Sequence, residues 1–247
     1  MKALVFSFIL TILFAGCSSN RAIPYQSKWK SHTLFYSQSP TDEVDMKSRL
    51  KFGVQNNDEK LFASVSTREP ELISRIISSG MRLTVHPTDS KKSSYKILFP
   101  VVLKEDRRAL RKMDNVDMLG PSMQLLLDTF NKEALVSTRG SSERFVNLIS
   151  DGDLYCKISM TVDGELSIDY AIPLKEINPS NGPNLSLSLA VEGASSRSGI
   201  TPGISIGMGA GGYGGMGGVS VGTGGRNAYG NQGVELKIDV NLAKSGS

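Results

Sequence analysis

Residues 154–173, LYCKISMTVDGELSIDYAIP, decide the fold. Leu154, Cys156, Ile158, Met160 and Val162 fall on one face of an extended chain. Asp163-Gly164 is expected to make a two-residue turn that needs positive φ, and Leu166, Ile168, Tyr170 and Ile172 return on the same face. A hairpin with one apolar face must bury it against a second layer, so the expectation is a sandwich. Cys156 points inward and reads as a small buried hydrophobe rather than a reactive thiol.

Working outward, Leu50-Phe52-Val54, the polar Asn56-Asn57-Asp58 and Leu61-Ala63-Val65 read as strand, turn, strand. Further strands are expected at Met81 to His86, Tyr95 to Val102, Ala134 to Thr138, Phe145 to Ile149, Leu185 to Val191 and Val234 to Leu242. That gives about ten, the pattern of a mainly β protein built as an antiparallel, jelly-roll-like β-sandwich. Two short helical insertions are predicted. Glu69-Pro70-Glu71 opens the first, Leu72, Ile73, Ile76 and Ile77 form its apolar face, and Gly80 ends it. Pro121 opens the second, where Met123, Leu126, Leu127 and Phe130 make a stripe that packs on a sheet. Lys104 to Lys112 between them reads as a solvated helix face, with contact to anionic lipid or glycan as the functional alternative.

Between residues 199 and 233, 15 of 35 residues are Gly, too few side chains for a conventional core. Gly203-Ile204-Ser205-Ile206-Gly207-Met208-Gly209 returns as Gly218-Val219-Ser220-Val221-Gly222-Thr223-Gly224. The two copies suggest a Gly-rich loop or hairpin, a thin finger with Tyr213 and Met216 near its tip as interaction residues. Its partner would be its own domain, another copy or a membrane surface; a plain flexible insertion is the other reading. Matches to G-x-G-x-x-G here do not indicate nucleotide binding, because no apolar helix follows and no acidic residue answers at the required distance.

The N-terminus opens with Lys2 and an uncharged run from Ala3 to Phe14, too short to span a bilayer as a helix. Ile12-Leu13-Phe14-Ala15-Gly16-Cys17 follows, and this resembles a bacterial lipoprotein signal peptide with its lipobox, Phe14 standing where Leu is usual. The resemblance implies diacylglycerol on the Cys17 thiol and cleavage before it. Residues 1–16 would be the signal peptide, 17–43 a tether, and 44–247 the sandwich domain carrying the 199–233 insertion. Ser18 and Ser19 lack the Asp that retains such proteins at the inner membrane. The expected location is thus the outer membrane, facing the periplasm, with the membrane as partner through the lipid anchor at Cys17.

Composition narrows the function classes. Without Lys2 there are 27 basic and 24 acidic residues, interspersed apart from Lys104 to Lys112, so no nucleic acid partner is implied. With Cys17 acylated only Cys156 remains, and the domain must fold on its hydrophobic core without a disulfide. His32 and His86 are too few for a His-rich metal site, no G-x-S-x-G marks a nucleophile, and Asp151-Gly152-Asp153 and Asn56-Asn57-Asp58 read as turns rather than calcium loops. No catalytic residue, metal or cofactor is therefore expected.

Asn57-Asp58-Glu59-Lys60-Leu61-Phe62 and Glu165 to Leu174 are similar to the "N-D-x-x-L-Y" and "x-A-I-P-hydrophobic" signatures of family 9 carbohydrate-binding modules and related DOMON-like sandwiches. The resemblance covers roughly Asp45 to Val191 and implies a jelly-roll-like fold and a glycan ligand. Such a module stacks sugar on aromatic faces, which here would be Trp29, Tyr25 and Tyr36, beside Phe35; the same residues also suit a clamp holding the N-terminal segment on the domain. The resulting expectation is a non-catalytic, lipid-anchored binding module for glycans. The alternative is a structural or protein-interaction lipoprotein whose Gly-rich finger engages an envelope protein.

Overall fold

A computed structural model of the chain describes residues 21–31, 40–89, 94–103, 121–138, 141–150, 153–177, 182–192 and 234–245. Residues 1–16, expected as a signal peptide, Cys17, Phe35, Tyr36, the Lys104–Lys112 run and the Gly-rich stretch with Tyr213 and Met216 lie outside the described residues. Among the described residues thirteen strands and three helices are formed, and two sheets pack face to face.

The first sheet runs β1 (Ile23–Gln26), β13 (Glu235–Asn241), β12 (Asn184–Val191), β6 (Met81–Pro87), β7 (Tyr95–Phe99), β8 (Glu133–Thr138) and β9 (Arg144–Asn147). The second runs β10 (Tyr155–Met160), β11 (Leu166–Pro173), β5 (Lys60–Thr67), β4 (Leu50–Asn56) and β2 (Lys28–Trp29), with β3 (Glu43–Asp45) also on β4. Leu83, Ile97, Leu187 and Ile238 from the first sheet and Phe52, Leu61, Ile158 and Ile168 from the second meet in one buried cluster. These are the positions that period-two reading assigns to the inner faces. β7 stops at Phe99, short of the expected Val102, because Pro100 has no N–H to continue the ladder.

The 155–173 hairpin has the expected inward faces, with Cys156 opposite Tyr170 and Ile158 opposite Ile168. Its turn is one residue longer than expected. The Gly164 N–H donates to Thr161 O at 3.0 Å and Thr161 N–H to Glu165 O at 2.9 Å, so Val162, Asp163 and Gly164 form a three-residue loop with Gly164 at φ 76°. Val162 therefore leaves the pleat and is 98 % exposed instead of sharing the inner face.

Both open sides of the sandwich are closed. On one, α2 (Pro121–Phe130) buries Met123, Leu127 and Phe130 in the core. Asn131 after it receives the Ile158 N–H at 2.7 Å and donates to Ile158 O at 3.1 Å, occupying the outer edge of β10. On the other side the N-terminal segment pairs with both sheets. β1 is parallel to β13, the chain crosses at Ser27, and β2 is parallel to β4. Residues 23–29, expected in the tether, are thus sheet residues, and the two parallel pairings make both sheets mixed rather than purely antiparallel. The edges of β13 and β4 carry backbone groups that need partners, and four- and two-residue strands suffice to supply them.

A buried network fixes the crossing. Ser27 Oγ donates to Asn56 Oδ1 at 2.5 Å, Ala243 N–H lies 2.7 Å from Ser27 Oγ and 2.9 Å from Asn56 Oδ1, and Asn56 Nδ2 donates to Ala243 O at 2.9 Å. The N-terminal strand, the end of β4 and the chain after β13 are locked together.

The register also sorts the loops to two ends. β4 begins, β5 ends and β11 begins at one end, where α1 (Pro70–Ser79) leads from β5 to the start of β6. Arg21, the 45–49 turn and the first residues of β13 gather there. The opposite end carries the Asn57–Lys60 turn, in which Asn57 Oδ1 accepts the N–H groups of Glu59 and Lys60, and α3 (Leu174–Ile177).

Candidate functional site

The aromatic residues nominated by the sequence separate. Trp29 lies half-buried in β2 of the second sheet, and Tyr25 in β1 of the first. The Tyr25 ring packs against core residue Phe52 at 5.5 Å between centroids, tilted by 57°. Its hydroxyl donates to Asp42 Oδ1 at 3.1 Å and accepts the Val54 N–H at 3.4 Å, and burial raises its pKa. Asp42 also holds Lys28. This is clamp geometry: one ring and one carboxylate pin β1, β2 and residues 40–42 to the second sheet.

Residues 40–42 cross the outer face of that sheet. A Cβ on Gly53 would stand 1.8 Å from the carbonyl oxygen of Pro40, so only glycine permits the crossing. Thr41 Oγ1 lies 3.4 Å from Ser66 Oγ beneath it. All eight residues of β5 are buried, including the outward Ser64 and Ser66. Nearby, Lys30 Nζ sits 4.3 Å above the Phe62 ring, a cation–π contact on the same outer face.

Two carboxylates meet these serines. Ser64 Oγ donates to Asp169 Oδ1 at 2.5 Å, and Ser66 Oγ to Glu165 Oε1 at 2.7 Å. Glu165 also receives Lys51 at 3.1 Å and Arg68 at 2.9 Å. Partial burial acts to raise the Glu165 carboxyl, but the hydrogen bonds from Ser66, Lys51 and Arg68 outweigh it and bring the pKa down to about 2. Asp169 goes the other way. Burial raises it, against the opposing pull of Ser64, Lys157 and Lys30. The sequence offered a signal for the cluster, since Ser64-x-Ser66 and Glu165-x-x-x-Asp169 share the outward phase of β5 and β11, but pairing across strands was needed to join them.

The chemistry of this arrangement is that of a fastening. A general acid or base needs a pKa near the working pH, and Glu165 is held far below it. Burial pushes the Cys156 thiol up, away from the thiolate that reacts. It raises the Tyr170 hydroxyl as well. His86 Nδ1 lies 3.0 Å from Pro87 O, a local backbone contact. Among the described residues no group of three or more His, Cys, Asp or Glu side chains is arranged to hold a metal ion. No helix among them is long and apolar enough to cross a membrane.

A shallow cleft of about 80 Å³ opens where the chain enters the sandwich. Ile23 and Leu236 form its apolar floor, and Arg21, Lys47 and Lys237 stand with Asp45 and Glu235 around it. Trp29 and Tyr25 do not line it. Sequence reading missed this cleft because its walls come from three distant segments.

No protein-family model matches the chain, and no curated protein matches it.

Proposed function

We propose that the chain is a lipid-anchored lipoprotein of a bacterial cell envelope, at the periplasmic face of the outer membrane, whose sandwich serves as a non-catalytic binding module. The observation that carries this reading is the position of β1. It starts at Ile23, six residues after Cys17, and it pairs with the first sheet while its continuation β2 pairs with the second. An acyl anchor at Cys17 would thus hold the folded body directly rather than through a long free tether.

Glycans are the first ligand class to test, on the resemblance of Asn57 to Phe62 and Glu165 to Leu174 to the signatures of family 9 modules. Residues 21–247, which retain β1, are presented to a panel of envelope and plant-type polysaccharides beside the same protein lacking residues 199–231. Retention that survives the deletion supports a sugar site on the sandwich, with Trp29 the first side chain to replace. No retention by either protein sinks the glycan reading for that panel.

A second reading, envelope assembly through the Gly-rich segment, is favoured by one observation. β12 and β13 pair from Asn184 opposite Asn241 to Ala190 opposite Glu235, and Val191 N–H donates to Val234 O at 3.2 Å. Val191 and Val234, on either side of this segment, are therefore neighbours at the same end as Arg21. Loss of co-purifying envelope protein on deleting residues 199–231, with the melting temperature unchanged, is the outcome expected of this reading.

A further inference from the structure

The end of the sandwich that receives the N-terminal chain carries an exposed turn tip with three cations close to it. The 45–49 turn is built by Asp45, whose carboxylate accepts the N–H groups of Lys47 at 3.3 Å and Ser48 at 2.8 Å, and whose carbonyl accepts Arg49 N–H at 2.8 Å. Arg49 takes φ 59°, a left-handed conformation that tightens the turn. Met46 is left at its tip, 85 % exposed. Lys47 beside it and Arg21 opposite are exposed and face the cleft with Lys237. The two acids of the cleft are turned to the protein: Asp45 holds its own turn, and Glu235 accepts from Ser188 at 3.0 Å and pairs with Lys237 at 3.2 Å.

We infer that this end, with Met46 at its tip and Arg21, Lys47 and Lys237 around it, docks on an anionic lipid leaflet. The inference rests on the reading that Cys17 is acylated. Cys17 precedes Arg21 by four residues, which span at most about 14 Å even when fully extended. The seven residues of β4 separate the two ends of the second sheet by a further ~23 Å. The anchor can hold the Arg21 end against the bilayer, while the Asn57–Lys60 turn stays a strand length away. The cleft sets Arg21, Lys47 and Lys237 against Asp45 and Glu235, three cations to two acids, and this excess of positive charge beside an exposed methionine matches that neighbour: the methionine enters the interface, and the cations meet lipid phosphates.

The test uses the acylated chain in vesicles containing phosphatidylglycerol and a headgroup-level nitroxide quencher. An environment-sensitive fluorophore is placed on Met46→Cys or, as the far-end control, on Asp58→Cys; buried Cys156 does not compete for the label. Quenching is expected at position 46 and not at position 58, and it should fall in pure phosphatidylcholine. Lys47→Gln and Lys237→Gln should each lower the docked-to-undocked ratio about fivefold. Equal quenching at both positions, or quenching at 46 that ignores phosphatidylglycerol, overturns the docking inference. The intact mass of the same samples reports acylation separately. A Cys17 without acyl mass overturns the anchor reading and, with it, this inference.

Discussion

β5 and β6 read alike in sequence and end in different surroundings. β5, Lys60-Leu61-Phe62-Ala63-Ser64-Val65-Ser66-Thr67, is buried along both faces, whereas β6, Met81-Arg82-Leu83-Thr84-Val85-His86-Pro87, alternates residue by residue between buried and half-exposed. Both have one apolar face turned to the core. The difference lies on the other face, where residues 40–42 cross the second sheet and the first sheet keeps Arg82, Thr84 and His86 near solvent. Arg82 is served there by the charged partners Glu192 and Glu143. Period two reports which residues face inward; whether the reverse face is also covered depends on a segment far away in the chain.

The sharpest way to break the contrast is Gly53→Val. Its side chain cannot coexist with Pro40 O, so the crossing segment must lift and uncover Ser64 and Ser66. A loss of about 3 kcal/mol is expected in denaturant titration, together with new protease cleavage near Pro40. Unchanged stability would mean that residues 40–42 contribute little to covering this face.

Next comes Glu165→Gln, which removes the charge that gathers Lys51, Arg68 and Ser66. The folded carboxyl titrates at about 2, below its ordinary 4.5, so its stabilisation is complete above pH 4.5 and is lost as pH falls toward 2. About 2 kcal/mol is expected at neutral pH, allowing for solvent around Lys51 and Arg68, and the two stability curves should converge near pH 2. A gap that persists at that pH would assign the effect to packing instead of charge.

Ser64→Ala should cost about 1 kcal/mol, because the partly buried Asp169 carboxylate loses a donor. The matched change on the first sheet, Thr84→Val, keeps β-branching on a half-exposed outer position and should stay within about 0.5 kcal/mol of the parent. Equal effects at the two sites would erase the distinction between the sheets.

The same contrast marks what the sequence could convey. Ten strands and the apolar stripes of α1 and α2 were legible, because a face that packs on a core imprints its period on neighbouring residues. β1, β2 and β3 were not, since strands of two to four residues that fill an edge need no apolar alternation, and Pro24 within β1 argues against a strand when read locally. The hairpin at 155–173 was legible in its inward faces and misread in its turn, and so in its pairing by one residue: Asp163-Gly164 fits a two-residue loop, and only the Thr161 to Glu165 bond recruits Val162 into it. Tyr25 was equally suited to a sugar platform or a clamp until Phe52, Val54 and Asp42 were brought beside it. The cleft of Arg21, Lys47 and Lys237 had no local signature at all.

The crossing at Ser27 has a mechanical consequence. β1 runs parallel to β13 and β2 parallel to β4, so tension drawn through the N-terminus acts along these strands and loads their ladder bonds in shear, many at once. A hairpin edge pulled from its open end would peel one bond at a time. The segment that enters the molecule first is therefore joined to it in the geometry that yields last under a pull.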